Sequence, residues 1–94
     1  MNKCKFTVYI LLCSDNTLYT GWTNDMTKRI KLHNSGKASK YTRGRLPVSV
    51  YHTEEFDSKQ EAMSREYAIK RMSRESKLKL ANSRFRTLFK KGAI

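Results

Sequence analysis

The sequence predicts an α+β domain: a small three-stranded antiparallel sheet flanked by three or more helices. Three observations carry that expectation. Apolar residues alternate through Phe6, Val8, Ile10 and Leu12 and stop at Ser14-Asp15-Asn16 before a second short run from Thr17 to Trp22, the pattern of a β-hairpin. A further alternating run follows the single proline, Pro47. Capped stretches with helical spacing of apolar residues lie between and after these runs. The 94 residues leave room for one domain, 1–94, with a small core.

The hairpin spans 6–22. With a three-residue loop, Cys13 opposes Thr17, Leu11 opposes Tyr19 and Tyr9 opposes Gly21, so both phenols project from one face; a two-residue loop would put them on opposite faces. Gly21, lacking a side chain, would leave space across from the Tyr9 ring for a backbone or a ligand. Asn24 is the expected cap of a helix over 25–34, and Gly36 is placed to end it in the left-handed conformation. On that helix Met26, Arg29, Ile30 and His33 share one broad side, and Arg29 and His33, four apart, are neighbours able to reach the same group. A basic loop over 36–47 leads into a strand over 48–55, where Val48, Val50 and His52 alternate with Ser49, Tyr51 and Thr53. Ser58 and Glu61 form a capping box that opens a helix over 58–72 through Ala62, Met63, Tyr67 and Ile69. Helical geometry turns Glu66 toward the side that packs on the sheet. A last helix over 76–89 carries Leu78, Ala81, Phe85, Leu88 and Phe89, most simply read as core.

Charge narrows the function. Twenty Lys and Arg against eight Asp and Glu give a net +12, a standing attraction to polyanions with nucleic acid the first partner to consider. The distribution says more than the total. From Met26 to Thr53 seven basic residues (Lys28, Arg29, Lys31, Lys37, Lys40, Arg43, Arg45) stand without one acid, and six more follow Glu75. A solvated surface usually mixes signs, so unbalanced stretches point to phosphate contacts and to binding that weakens steeply with salt. Tyr41-Thr42-Arg43-Gly44-Arg45 sets an aromatic and a hydroxyl among cations, suited to sugar and phosphate, and Lys28, Lys37, Lys40, Tyr41, Thr42, Arg43 and Arg45 are the expected nucleic-acid contacts. The longest apolar run, Val8 to Cys13, is six residues, too short for a membrane span and without the flanks of a signal peptide, so a cytoplasmic location is expected. Cys4, Cys13, His33 and His52 are too scattered for a common zinc pattern, and both cysteines read as free thiols.

The triplets Val8-Tyr9-Ile10 and Tyr19-Thr20-Gly21, followed by Thr23-Asn24-Asp25, Arg29 with His33 four residues on, the segment Gly36 to Pro47, and Glu66 in a later helix, resemble the GIY-YIG nuclease family. The resemblance covers nearly the whole chain. It is closest to small stand-alone members of the subgroup that includes the excision-repair nuclease N-terminal domain and structure-specific junction nucleases; His33 fits the junction-cutting branch. Trp22 stands where some relatives carry a basic residue.

That resemblance implies the GIY-YIG fold, metal-dependent hydrolysis of DNA phosphodiesters (branched, flap or single-stranded DNA) and a single Mg²⁺ or Mn²⁺. Tyr9, Tyr19, Arg29, His33 and Glu66 are the expected catalytic set, with Glu66 the metal ligand and Gly21 and Asn24 structural members of the motifs. Mg²⁺ takes one or two carboxylates and keeps several waters, which a single Glu66 satisfies; the simpler reading is an i, i+4 pair with Lys70 worth about 0.2–0.5 kcal/mol. Tyr9 would help deprotonate the attacking water. A free phenol is only about 0.1% ionised at neutral pH, so nearby cations must favour the phenolate or His33 must take its proton, with Tyr19 orienting water or phosphate and the Arg29 fork steadying charge on phosphorus. The competing expectation is a non-catalytic DNA- or RNA-binding module that keeps the fold. DNA stands ahead of RNA as the partner, and because the chain has no room for an added specificity domain, a protein partner supplying specificity is compatible with either reading.

Overall fold

The computed structural model describes residues 5–81. Strand β1 (Phe6–Leu12) lies at the centre of a three-stranded antiparallel sheet, between β2 (Leu18–Thr23) and β3 (Ser49–Phe56). Helices α1 (Met26–Asn34) and α2 (Lys40–Arg43) fall between β2 and β3, α3 (Lys59–Lys70) follows β3, and a further helix, α4, occupies 74–81. No helix among the described residues is long and apolar enough to cross a membrane.

The β1–β2 register is the one a three-residue loop demands: Tyr9 faces Gly21 and Leu11 faces Tyr19, and Cys13 N donates to Thr17 O at 2.9 Å. Asn16 adopts φ +69° after a turn closed from Asn16 N to Cys13 O at 2.9 Å, the geometry that matches a three-residue loop to the twist of the strands. Asp15 holds the loop by accepting from Thr17 N at 3.1 Å and Thr17 Oγ1 at 2.6 Å.

Alternation along β1 divides the core. Val8 and Ile10 pack with Ala62 and Ile69 of α3, joined by Phe6, Trp22, Phe56 and Leu80. Tyr9, Leu11 and Cys13 pack on the opposite side with Val48, Met26, Ile30 and Leu46. The first layer is apolar apart from its rim; the second contains the phenols.

Several elements differ from expectation, each for a local reason. The cap of α1 is Asp25, whose carboxylate accepts from Lys28 N at 3.1 Å, while Asn24 is exposed beside it. Gly36 does end the helix at φ +80°, with Gly36 N on His33 O and Lys37 N on Leu32 O, both 3.0 Å, a Schellman closure. The expected loop 36–47 contains a helical turn, α2, capped by Ser39. Strand β3 slips register between Ile10 and Leu11, so Ile10 faces His52 and Leu11 faces Val50, leaving Tyr51 as the extra residue of a bulge. His52 therefore turns to the α3 side and Val50 to the other, where simple alternation would have kept them together. On α3, opened by Ser58 accepting from Glu61 N at 3.1 Å, Ala62 and Ile69 are buried while Met63 and Tyr67 are exposed. The last helix starts at 74, not 76, because Ser73 caps it by accepting from Ser76 N; its expected part beyond 81 lies outside the described residues.

The C-terminal end of α1 is fastened to the start of β3 by one side chain. Asn34 Nδ2 donates to Val48 O at 3.1 Å and Asn34 Oδ1 accepts from Val48 N at 2.7 Å. Val48 is 5% exposed, so its N–H and carbonyl would otherwise go unpaired. Asn34→Ala is expected to lower unfolding free energy by about 1–3 kcal/mol, measured by urea denaturation; an unchanged midpoint would show the link to be dispensable.

Candidate active site

Tyr9 stands on the central strand, 1% exposed, in the layer roofed by α1 and α2. Its hydroxyl lies 2.9 Å from His33 Nε2, and His33, on the last turn of α1, is fully buried. On the far side of the imidazole, Nδ1 is 2.9 Å from Thr42 Oγ1, a fully buried hydroxyl supplied by α2. Tyr19 closes the group with its ring edge-on to His33 at 5.3 Å and tilted against Tyr9 at 6.4 Å between centroids. Outward from Tyr19, Tyr41 stacks at 5.8 Å and carries the Arg45 guanidinium 4.0 Å from its ring centre.

The space that Gly21 leaves is filled by Tyr9 itself rather than by a ligand. A methyl at Gly21 would come within 2.6 Å of the Tyr9 hydroxyl oxygen and 2.7 Å of Cζ, far inside contact distance. Glycine here sets the position of the phenol.

Burial disfavours charge on both Tyr9 and His33. Burial, with Tyr19 next, pushes the Tyr9 phenol up to about 12; the Arg29 guanidinium pulls against this and the Glu66 carboxylate adds to it. Burial, then Arg29, pushes His33 below the usual imidazole value. Arg29 thus acts on both groups, and the charge of Glu66 is felt at Tyr9. Arg29 is half-buried and lines a cavity of 190 Å³ with Thr23, Asn24, Asp25, Lys28 and Leu32.

Glu66 lies on α3 four residues after buried Ala62 and three before buried Ile69, its side chain 19% exposed and Oε2 3.3 Å from Lys70 Nζ. Among the described residues no three His, Cys, Asp or Glu side chains gather as a metal cluster. A lone, partly exposed carboxylate suits a hard cation that keeps most of its waters, and the pair with Lys70 is too weak to resist one.

Of the expected nucleic-acid contacts, Lys28, Lys37, Lys40 and Arg43 are exposed. Arg45 and Thr42 are placed differently. Arg45 is engaged at the surface by the chain itself, with Asp15 Oδ2 at 3.0 Å, Tyr41 O at 2.8 Å and the Tyr41 ring beneath it. Thr42 faces His33 with no exposed surface, because α2 turns it inward between exposed neighbours. Sequence reasoning missed this contact and also the Glu54 cluster on the opposite face, where Arg65 grips both carboxylate oxygens at 2.8 and 3.0 Å and His52 Nε2 lies 2.8 Å away. The spacing of His52 and Glu54, two apart on one strand, was the available signal.

The hairpin, its two phenols and the helix-borne Arg29 and His33 define a class, and comparison agrees: the sequence profile of the GIY-YIG catalytic domain matches residues 5–79. The chain belongs to the GIY-YIG family, whose domains are nucleases and are in general dependent on divalent metal. It is 57% identical over 77 residues to a UPF0213 protein of Clostridium perfringens, covering 82% of this chain and 83% of the relative. A UPF0213 protein of Halobacterium salinarum is 59% identical over 70 residues, 74% of this chain and 91% of the relative. Two solution NMR structures are similar: a UPF0213 protein from Bacillus halodurans (TM-score 0.55, 50% identity, 83% of each chain) and a protein from E. faecalis (TM-score 0.61, 38% identity, 87% of this chain and 88% of that one).

Gly21→Ala is expected to displace the Tyr9 ring and cost about 1–3 kcal/mol as an overpacked core site, read by thermal melting. Its Tyr9–His33 hydrogen bond should be lost, read from the histidine ring ¹⁵N shifts; shifts matching wild type would mean the sheet absorbs the methyl.

Proposed function

We propose that this protein is an endonuclease that hydrolyses DNA phosphodiester bonds, with branched, flap or single-stranded DNA as the substrate class and one Mg²⁺ or Mn²⁺ required. The observation that carries this reading is the 2.9 Å contact between the Tyr9 hydroxyl and His33 Nε2 in a buried cluster under the influence of Arg29. A phenol at about 12 is ionised in only on the order of one molecule in 10⁵ at neutral pH, so Tyr9 acts as a base only if its own proton leaves as it accepts another. His33 is the acceptor. Its lowered pKa keeps it neutral and able to take that proton, while Tyr9 takes one from the attacking water.

Arg29, whose planar fork matches phosphate oxygens, steadies the negative charge that grows on phosphorus. Tyr19, beside both rings, orients the water or the phosphate. Glu66 is the residue that would hold the metal ion, which when bound supplies positive charge for the leaving oxygen. Lys28, Lys37, Lys40 and Arg43 bind the substrate backbone, and Tyr41 flanks it. A protein partner that directs the enzyme to its substrate is consistent with this small domain. One observation favours the non-catalytic DNA- or RNA-binding reading: Tyr9 is nearly closed to solvent, and a phenol that water never reaches would leave only the charged surface at work.

Glu66→Ala should abolish Mg²⁺-dependent nicking of flap and single-stranded DNA while leaving filter-binding affinity within about threefold. Equal cutting by both proteins removes Glu66 as the metal ligand; salt-sensitive binding by wild type without cutting of any substrate establishes the binding module.

The pH profile follows from the direction of the His33 shift. Neutral His33 is the working form, so kcat/KM should stay level from pH 9 down past 6.5 and fall only below it, about tenfold per unit. A rate that instead climbs tenfold per unit through pH 9 means that Tyr9 must ionise beforehand and that His33 is not the acceptor.

A further inference from the structure

Thr42 is the one member of α2 with no exposed surface, between Lys40 and Tyr41 on one side and Arg43 on the other, all exposed. Its hydroxyl has two partners: Oγ1 donates to Ser39 O at 3.4 Å and lies 2.9 Å from His33 Nδ1. A hydroxyl carries one proton. When that proton is given to the Ser39 carbonyl, which also accepts from Arg43 N at 3.1 Å, Oγ1 is free to accept from Nδ1–H, and a neutral imidazole has only one N–H to give. The lone pair is left on Nε2, 2.9 Å from the Tyr9 hydroxyl. Ser39 is itself fixed, as the cap that accepts from Tyr41 N at 3.0 Å and Thr42 N at 3.4 Å.

We propose that Thr42 is a positioning residue: by accepting from Nδ1–H it holds His33 in the one tautomer whose Nε2 can take the Tyr9 proton. This rests on the nuclease reading for its consequence but not for its geometry. The proton balance closes within the chain. The Tyr9 O–H bond breaks as the His33 Nε2–H bond forms, a proton from the attacking water replaces it on the phenol, and the resulting imidazolium has a partner for each N–H, Thr42 on one side and the Tyr9 oxygen on the other. The opposite tautomer would present Nε2–H to Tyr9, with no site for its proton. The sequence from Ser39 to Thr42 therefore serves as an internal support for the imidazole, in a stretch whose composition reads as a substrate-binding loop.

The test uses the full-length chain. Long-range ¹H–¹⁵N correlation of the His33 ring at neutral pH should report Nδ1–H and bare Nε2 in wild type and in Thr42→Ser. In Thr42→Val, which keeps the volume and loses the hydroxyl, the proton should move wholly or partly to Nε2. Nicking by Thr42→Val should fall in kcat on the order of 10- to 100-fold, as for loss of a partner that orients a working histidine, with KM unchanged and Thr42→Ser restoring most of the rate. Wild-type His33 found as the Nε2–H tautomer overturns the proposal without any variant, so poor folding of Thr42→Val does not protect it. An unaltered tautomer in folded Thr42→Val overturns it as well. If wild type cuts no substrate, the nuclease reading fails, while the ring spectra still decide what Thr42 does.

Discussion

A buried phenol organises this molecule. The hydroxyl of Tyr9 lies in the middle of a sheet, on the central strand, 1% exposed, and a buried donor without a partner costs about 1–3 kcal/mol. Strand β1 cannot supply a partner, since its own backbone is paired on both sides. The partner comes from α1 as His33, whose second nitrogen is buried in turn and requires Thr42 from α2. Satisfying one hydroxyl thus ties three separate elements together, and Gly21 is the condition on which the ring fits at all. The groups with chemical potential here are the same groups that fix the packing.

The opposite layer allows this. Val8, Ile10, Ala62 and Ile69 form an apolar cluster in which every residue is fully buried, and the bidentate Arg65–Glu54 pair with His52 borders it. Apolar packing on the α3 side leaves the other layer able to hold rings and hydroxyls beside its own aliphatic side chains Leu11, Val48, Ile30 and Leu46. The same packing explains Glu66. Ala62 and Ile69 are seven apart on the stripe that α3 buries, and Glu66 falls between them, so docking the helix brings one carboxylate within electrostatic reach of Tyr9. It is held by the helix, not by a loop, which limits how far it can wander.

Much of the frame was legible in the sequence because it depends on short-range rules. Alternation gave the two possible β1–β2 registers, and the three-residue turn is the one observed; Gly36 and Ser58 marked helix ends by chemistry that belongs to those residue types. What was not legible depends on phase or on distant partners. The bulge at Tyr51 leaves a period of two on either side of it and changes only which face each side uses. The turn α2 is too short to show an apolar period, so Thr42 looked like one more polar residue among cations. Asp25 and Asn24, and Ser73 and Ser76, are equally good caps by type, and tertiary placement chose between them. Tyr67 and Met63 have core-type side chains on a helix, yet Tyr67 finds Arg71 at the surface instead. The set Tyr9, Tyr19, Arg29, His33 and Glu66 was named from motif resemblance; the depth at which Tyr9 and His33 are buried was not foreseeable from it.

Charge divides, among the described residues, between cations that the chain itself engages and cations that it leaves unpaired. Counting basic residues treats Arg45 and Lys28 alike, but Arg45 is committed to Asp15, to the Tyr41 carbonyl and to the Tyr41 ring, joining the hairpin loop to the segment after α2. Its charge is already compensated, and withdrawing it would loosen the wall of rings that runs from Tyr41 through Tyr19 to His33. Lys28, Lys37, Lys40 and Arg43 form no ion pair with any other described residue, and exposed cations without carboxylates are the ones that release counterions on meeting a polyanion. Lys28 shares a cavity with Arg29, whose guanidinium already bears on Tyr9 and His33. An anionic group drawn into that cavity would therefore be felt by the buried rings through Arg29. In this arrangement the attraction that gathers a partner and the electrostatics that set the phenol meet at adjacent residues of one helix.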